Sequence, residues 1–162
     1  AAAIETQLKS LSEHDPKKKI TLYINSEGGD VAAGERIMQA LREIPNKVDV
    51  VCAGEAQSMA AVIFLTHPKK KGDRIVFEKC HLITHAAYYR METGARTLDN
   101  TDLSPDERKD LTKTRLDFAK ALAARTRLPL SEAKKFFTTK DYVLSVRRAR
   151  KIGFIDRLVK PD

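Results

Sequence analysis

This chain has almost nothing that would tie it to a membrane, a disulfide scaffold or a bound nucleotide. Its longest apolar run, residues 59–65, falls far short of the roughly 20 residues a bilayer crossing needs, so no membrane span is expected. Cysteine is scarce. Cys52 and Cys80 are the only two. They sit in separate apolar runs without CxxC spacing and read as reduced, buried thiols of a reducing compartment, which implies a cytoplasmic protein. A GxxxxGKS or GxxxxGKT phosphate loop is missing, and neither a repeat nor a linker interrupts the chain. Its 162 residues, 42% of them apolar, suit one domain over 1–162 that buries about two-thirds of its unfolded surface. The first residues are Ala1-Ala2-Ala3 with no methionine, which leaves an upstream targeting segment open.

Positive charge, by contrast, is plentiful. The net charge is +8, carried in part by Lys17-Lys18-Lys19, Lys69-Lys70-Lys71, and Arg147-Arg148 with Arg150-Lys151. These runs are short, separated and free of interleaved aromatics. They read as solvated faces or contacts for acidic partners, and no nucleic acid is expected as a partner.

Periodicity alternates between strand and helix. Ile4, Leu8 and Leu11 recur at helical spacing before Pro16, and residues 19–25 form a β-branched strand. After the turn Ser26-Glu27-Gly28-Gly29, Asp30 is expected to cap a helix with Ile37, Leu41 and Ile44 on one side, ended by Pro45. Residues 48–53 form the next strand, and a helix beginning at Ser58 runs to Pro68. Two short strands follow at 74–78 and 82–84. Residues 86–103 are polar and lack any period, so they are expected to be irregular and mobile or partner-dependent. Ser104-Pro105-Asp106-Glu107 is a capping box opening a long helix to about Thr126. A short helix is expected at 130–137, a second from Ser145 to Gly153, and a last strand at 154–159. This order predicts an α/β domain with a largely parallel sheet and flanking helices, whose chemistry gathers at the carboxyl ends of the strands.

Both Gly28-Gly29 and Ser58 fall at such ends. A serine at a helix start is usually a cap, but it also lies beside unpaired N–H groups able to meet an oxyanion. To act, Ser58 needs a base, and the base needs an orienting group. His14 is in a charged loop, and His67 lies about 13 Å of helix rise away. Of His81 and His85, the latter ends its strand and is the better base. Cys80, His81 and His85 do not make a metal site, because four residues of strand separate the imidazoles by about 13 Å. No metal and no cofactor are therefore expected. For the orienting carboxylate, Asp141 competes with Asp30, Asp73, Asp99, Asp102 and Asp156.

Taken in order, residues 23–29 (YINSEGG), 54–60 (GEAQSMA), 82–85 (LITH), 141–145 (DYVLS) and 153–156 (GFID) resemble the proteolytic subunit of the Clp protease, over about residues 4–159. The resemblance implies a serine endopeptidase of the Clp/crotonase superfamily: Ser58 as nucleophile, His85 as general base, Asp141 as its orienting residue, and the backbone N–H groups of Gly29 and Met59 as oxyanion donors. It also implies a homo-oligomeric ring, an ATP-driven unfoldase as partner, peptide or unfolded protein as substrate, and a handle-like region at 86–126. Two departures stand out. Glu27 replaces the proline usual before the glycine pair, and Ala86-Ala87-Tyr88-Tyr89 replaces a Gln-Pro and glycine-rich stretch. The alternatives are a catalytically inactive subunit, a crotonase-like enzyme acting on a thioester, and a serine peptidase with a lysine base.

Overall fold

Residues 1–92, 94–126 and 128–160 are described by the computed structural model. The chain runs α1 (Ala2–His14), β1 (Ile20–Ser26), α2 (Val31–Glu43), β2 (Val48–Gln57), α3 (Ser58–Thr66), β3 (Arg74–Phe77) and β4 (His81–Thr84). It continues through β5 (Tyr89–Met91), β6 (Gly94–Arg96), α4 (Pro105–Arg125), α5 (Leu130–Ala133), a 3-10 turn at Lys134–Phe136, β7 (Tyr142–Leu144), α6 (Val146–Lys151) and β8 (Arg157–Val159). The α/β class and the largely parallel sheet are as expected: β1, β3 and β4 all run parallel to β2, and β8 runs parallel to β3. The exception is β7, which pairs antiparallel with β4.

Local signals set the helix ends. Asp30 Oδ1 accepts the Ala33 N–H at 2.8 Å, which starts α2. Ser104 and Glu107 close the reciprocal bonds of the capping box at the head of α4, with Pro105 at the first helical position. Gly153 takes φ 78 just past α6, a conformation that costs a side-chain-bearing residue about 1 kcal/mol or more.

The centre of the core is α3. Every residue of it from Met59 to Thr66 is buried, because β2, α2 and α4 all pack against it. A helix apolar on all sides belongs inside a protein. Phe64 and Leu65 are fully buried, each contributing about 1.5–3 kcal/mol relative to exposure, so Phe64→Ala would cost about 3–5 kcal/mol. A polar clamp holds the far end of this helix. The fully buried Arg74 donates to Leu65 O at 2.9 Å and Gly153 O at 2.6 Å and pairs with Asp156 at 3.2 Å. Arg125 donates to His67 O at 2.6 Å and to the same Asp156 oxygen at 2.7 Å. Burial lowers the Arg74 pKa to about 10 against the pull of Asp156, so it stays charged at neutral pH.

Two expectations need correction. The second strand does not stop at Ala53 but continues to Gln57. It forks: residues Val50, Val51 and Cys52 pair with β3, whereas Glu55, Ala56 and Gln57 pair with β4. On the β1 side the register slips between Ile24 and Ser26, and Asn25 Oδ1 fills the irregularity by accepting the Glu55 N–H at 3.1 Å. Gly54 has φ 124 at the fork, where a Cβ would lie 2.5 Å from Asn25 Oδ1. The second correction concerns residues 86–103. They include an antiparallel hairpin, β5 with β6, fastened to α4 by Tyr89 Oη donating to Asp110 at 2.7 Å and by Arg96 pairing with Glu107 at 3.3 Å. Strands this short carry too few residues to display a period. Thr93, also in that stretch, lies outside the described residues.

Among the described residues no helix is long and apolar enough to cross a membrane.

Candidate active site

Ser58 is the one non-glycine residue with positive φ among the described residues, at 51°. A side-chain-bearing residue in this region stores about 1 kcal/mol or more, and here buried neighbours enforce it: β2 ends in the extended Gln57 and α3 begins at once. The reading of Ser58 as a helix cap fails. The cap position belongs to Gln57, no side chain caps the helix, and the Ser58 hydroxyl has no hydrogen-bond partner among the described residues. It is a half-buried hydroxyl held at a sharp strand-to-helix turn.

Against this turn packs the glycine pair. A Cβ on Gly28 would stand 2.7 Å from Gln57 O, 2.8 Å from Ser58 Cβ and 2.9 Å from Met59 N, and its φ is 104°, so glycine is required. Ser26 Oγ accepts the Gly28 N–H at 3.1 Å and thereby holds the turn that a proline at position 27 would otherwise stiffen. The exposed Glu27 side chain points no charge into an ion pair among the described residues. Gly29, at φ 143, has open space before it. Its N–H and that of Met59, in the first turn of α3, have no acceptor among the described residues. Two free donors therefore flank a free hydroxyl. Gly28, Gly29 and Met59 also border a cavity of about 340 Å³ walled by Leu22, Ile37 and Ile63, but Ser58 does not line it.

Sheet register brings the base side to the same end. Gln57 pairs with Ile83, and Thr84 pairs with Tyr142. One further step along each ladder sets Ser58 beside Thr84, and His85 opposite Asp141. The side chains do not join across that gap. His85 Nδ1 bonds Ala86 O at 2.7 Å, and no hydrogen bond links His85 to Ser58 or to Asp141, which is exposed. Because a carbonyl can only accept, Nδ1 carries the proton and Nε2 keeps its lone pair, the tautomer a general base needs. The ring packs on Tyr88 at 5.4 Å between centroids. Neither Ala86 O nor Tyr88 was singled out by sequence reasoning. Both belong to the departure at residues 86–89, which was the available signal.

The remaining groups settle elsewhere. His67 is buried with Nε2 on Val48 O at 2.8 Å, and His81 is exposed at the other end of β4 from His85. Cys80 Sγ donates to Cys52 O at 2.8 Å and accepts the Gly54 N–H at 3.1 Å, which steadies the fork of β2. Burial and the Cys80 contact push the Cys52 thiol far up, so it is inert. Among the described residues no three His, Cys, Asp or Glu side chains converge as metal ligands would.

A family model described as Clp protease matches residues 1–162. Among solved structures, a point mutant of ClpP1 from Listeria monocytogenes superposes with a TM-score of 0.80 at 24% identity, over 99% of this chain and 84% of that one. At this identity the likeness speaks for the fold.

Proposed function

Since the chain belongs to the Clp protease family, a family of peptidases, we propose that it is a serine endopeptidase that hydrolyses peptide bonds through an acyl-enzyme on Ser58. His85 Nε2 takes the Ser58 proton as Oγ attacks the carbonyl carbon and later returns it to the leaving amine. Asp141 swings in to replace Ala86 O on Nδ1 and stabilises the imidazolium. The N–H groups of Gly29 and Met59 receive the oxyanion, a contribution of about 3–4 kcal/mol per donor in such sites. A water activated by His85 then releases the acyl group.

One observation carries this reading: an uncapped serine hydroxyl, held at positive φ against a glycine turn, between two unused N–H donors. Family membership supports the finer parts, namely a homo-oligomeric ring, an ATP-driven unfoldase, unfolded protein as substrate, one functional unit over 1–162 with 86–126 as its handle-like part, and a cytoplasmic location. Labelling by a fluorophosphonate probe tests the proposal. Wild type should be labelled and Ser58→Ala should not; an unlabelled wild type, in every assembly state resolved by sedimentation, would sink it.

The bond from His85 to Ala86 O favours a second reading, that of an inactive subunit that builds a ring. Labelling that appears only in assembled material would decide for the peptidase, with neighbouring subunits aligning His85.

A further inference from the structure

At the end of β4 away from Ser58, three segments distant in sequence bring cations to one concavity of about 910 Å³. Lys79, in the turn between β3 and β4, brings one cation, and His81, the first residue of β4, lines the same concavity. Arg147, Arg150 and Lys151 are spaced to share one face of α6. Arg148 turns aside to lie over Tyr142 at 5.7 Å. Lys160 follows Leu158 by two residues at the end of β8. Among the described residues one carboxylate, Glu78, stands against these cations. None of the cations forms an ion pair among the described residues. The floor is apolar, made by Cys80, Val146 and Leu158, with Cys80 buried and the other two partly buried.

We propose that this basic concavity is a docking site for an acidic peptide segment that carries apolar side chains. Charge complementarity selects the sign of the ligand, since clustered unpaired Arg and Lys gain most from carboxylates, which arginine can grip bidentately. The volume is far larger than one small anion requires and lies in the range of sites that enclose a multi-group ligand. The apolar floor separates a peptide from a bare polyanion, because phosphate chains have nothing to bury on Val146 and Leu158. Among the described residues no aromatic side chain lines the concavity, so bases have no surface to stack on. The site is independent of the Ser58 chemistry and is tested without it.

The test is fluorescence anisotropy of the full chain with a fluorescein-labelled peptide of alternating glutamate and leucine. Saturable binding is expected. It should weaken as salt is raised and fall by about tenfold or more in R147E/R150E, equivalent to losing one or two charge contacts. A serine-for-leucine peptide of equal charge should bind several-fold more weakly. Equal binding of the two peptides, binding unchanged in R147E/R150E, or capture of inorganic polyphosphate with no binding of the peptide would each overturn the proposal. Should R147E/R150E lose its circular-dichroism signature, K79Q/K160Q provides the same comparison from exposed positions on other segments.

Discussion

The two ends of α3, about 13 Å apart by helix rise, are built on opposite principles. At the carboxyl end two arginines form a clamp: Arg74 and Arg125 share Asp156 and donate to carbonyls of Leu65, Gly153 and His67. At the amino end, a hydroxyl and two N–H groups have no acceptor among the described residues, and His85 is turned to the carbonyl of the residue that follows it. A buried helix clamped at one end can hold the other unsatisfied, because packing along Met59–Thr66 fixes the backbone regardless. Under the proposed function, stability and reactivity belong to different ends of one element.

Substitutions at the open end should abolish activity and spare the fold, with the reverse at the clamped end. The largest effect is expected for Ser58→Ala, a loss of about 10⁶-fold in kcat for peptide hydrolysis, with an unchanged melting curve. His85→Ala should follow closely, and Asp141→Asn should lower kcat by about 10⁴-fold. An unaffected Asp141→Asn would mean that Ala86 O is the lasting partner of His85. At the clamped end, Asp156→Asn leaves the buried Arg74 charge without its counter-ion and should cost about 3–5 kcal/mol in denaturant unfolding, with kcat retained in the folded fraction. Gly28→Ala links the two measurements. Its Cβ collides with the Ser58 turn, so kcat should fall by about 10²–10³-fold together with a modest drop in stability.

The smallest effect is a pH slope. Burial lowers the His67 pKa, outweighing its bond to Val48 O, and the charges of Arg125 and Arg74 lower it further. The unfolded chain then binds the His67 proton more readily than the folded one. Stability should be constant above the unfolded value near 6.5 and fall as pH drops from there to the folded pKa. Urea titrations of His67→Gln should show a flatter slope in that window; an equal slope would assign the acid sensitivity to other groups.

Reading the sequence captured what is local. Asp30, Ser104, Ser145 and Gly153 act where a single residue's hydrogen bond or φ decides an element's end, and all four behave as their chemistry predicts. The meeting of Gly28 with Ser58 was legible only through ordered motifs, because no spacing rule says that two strand ends lie side by side. What stayed hidden depends on neighbours distant in sequence. The extension of β2 is decided by β4 and Asn25, the hairpin after His85 by Asp110 and Glu107 on α4, and the partner of His85 by how the backbone leaves β4. The basic concavity draws on residues 78–81, 145–151 and 158–160, which share nothing in sequence but charge.

The fork in β2 also turns length into information. One ladder on β3 ends at Cys52 and another on β4 begins at Glu55, so residues 53–54 are a ruler laid between two ladders of one sheet. Inserting one residue there would make β2 either loop out at the fork or slip by about 3.3 Å against β4, and the slip would take Ser58 out of step with Thr84 and turn the paired residues to the other face. Its residue count, together with the glycine that φ 124 and Asn25 require at position 54, sets Ser58 in place.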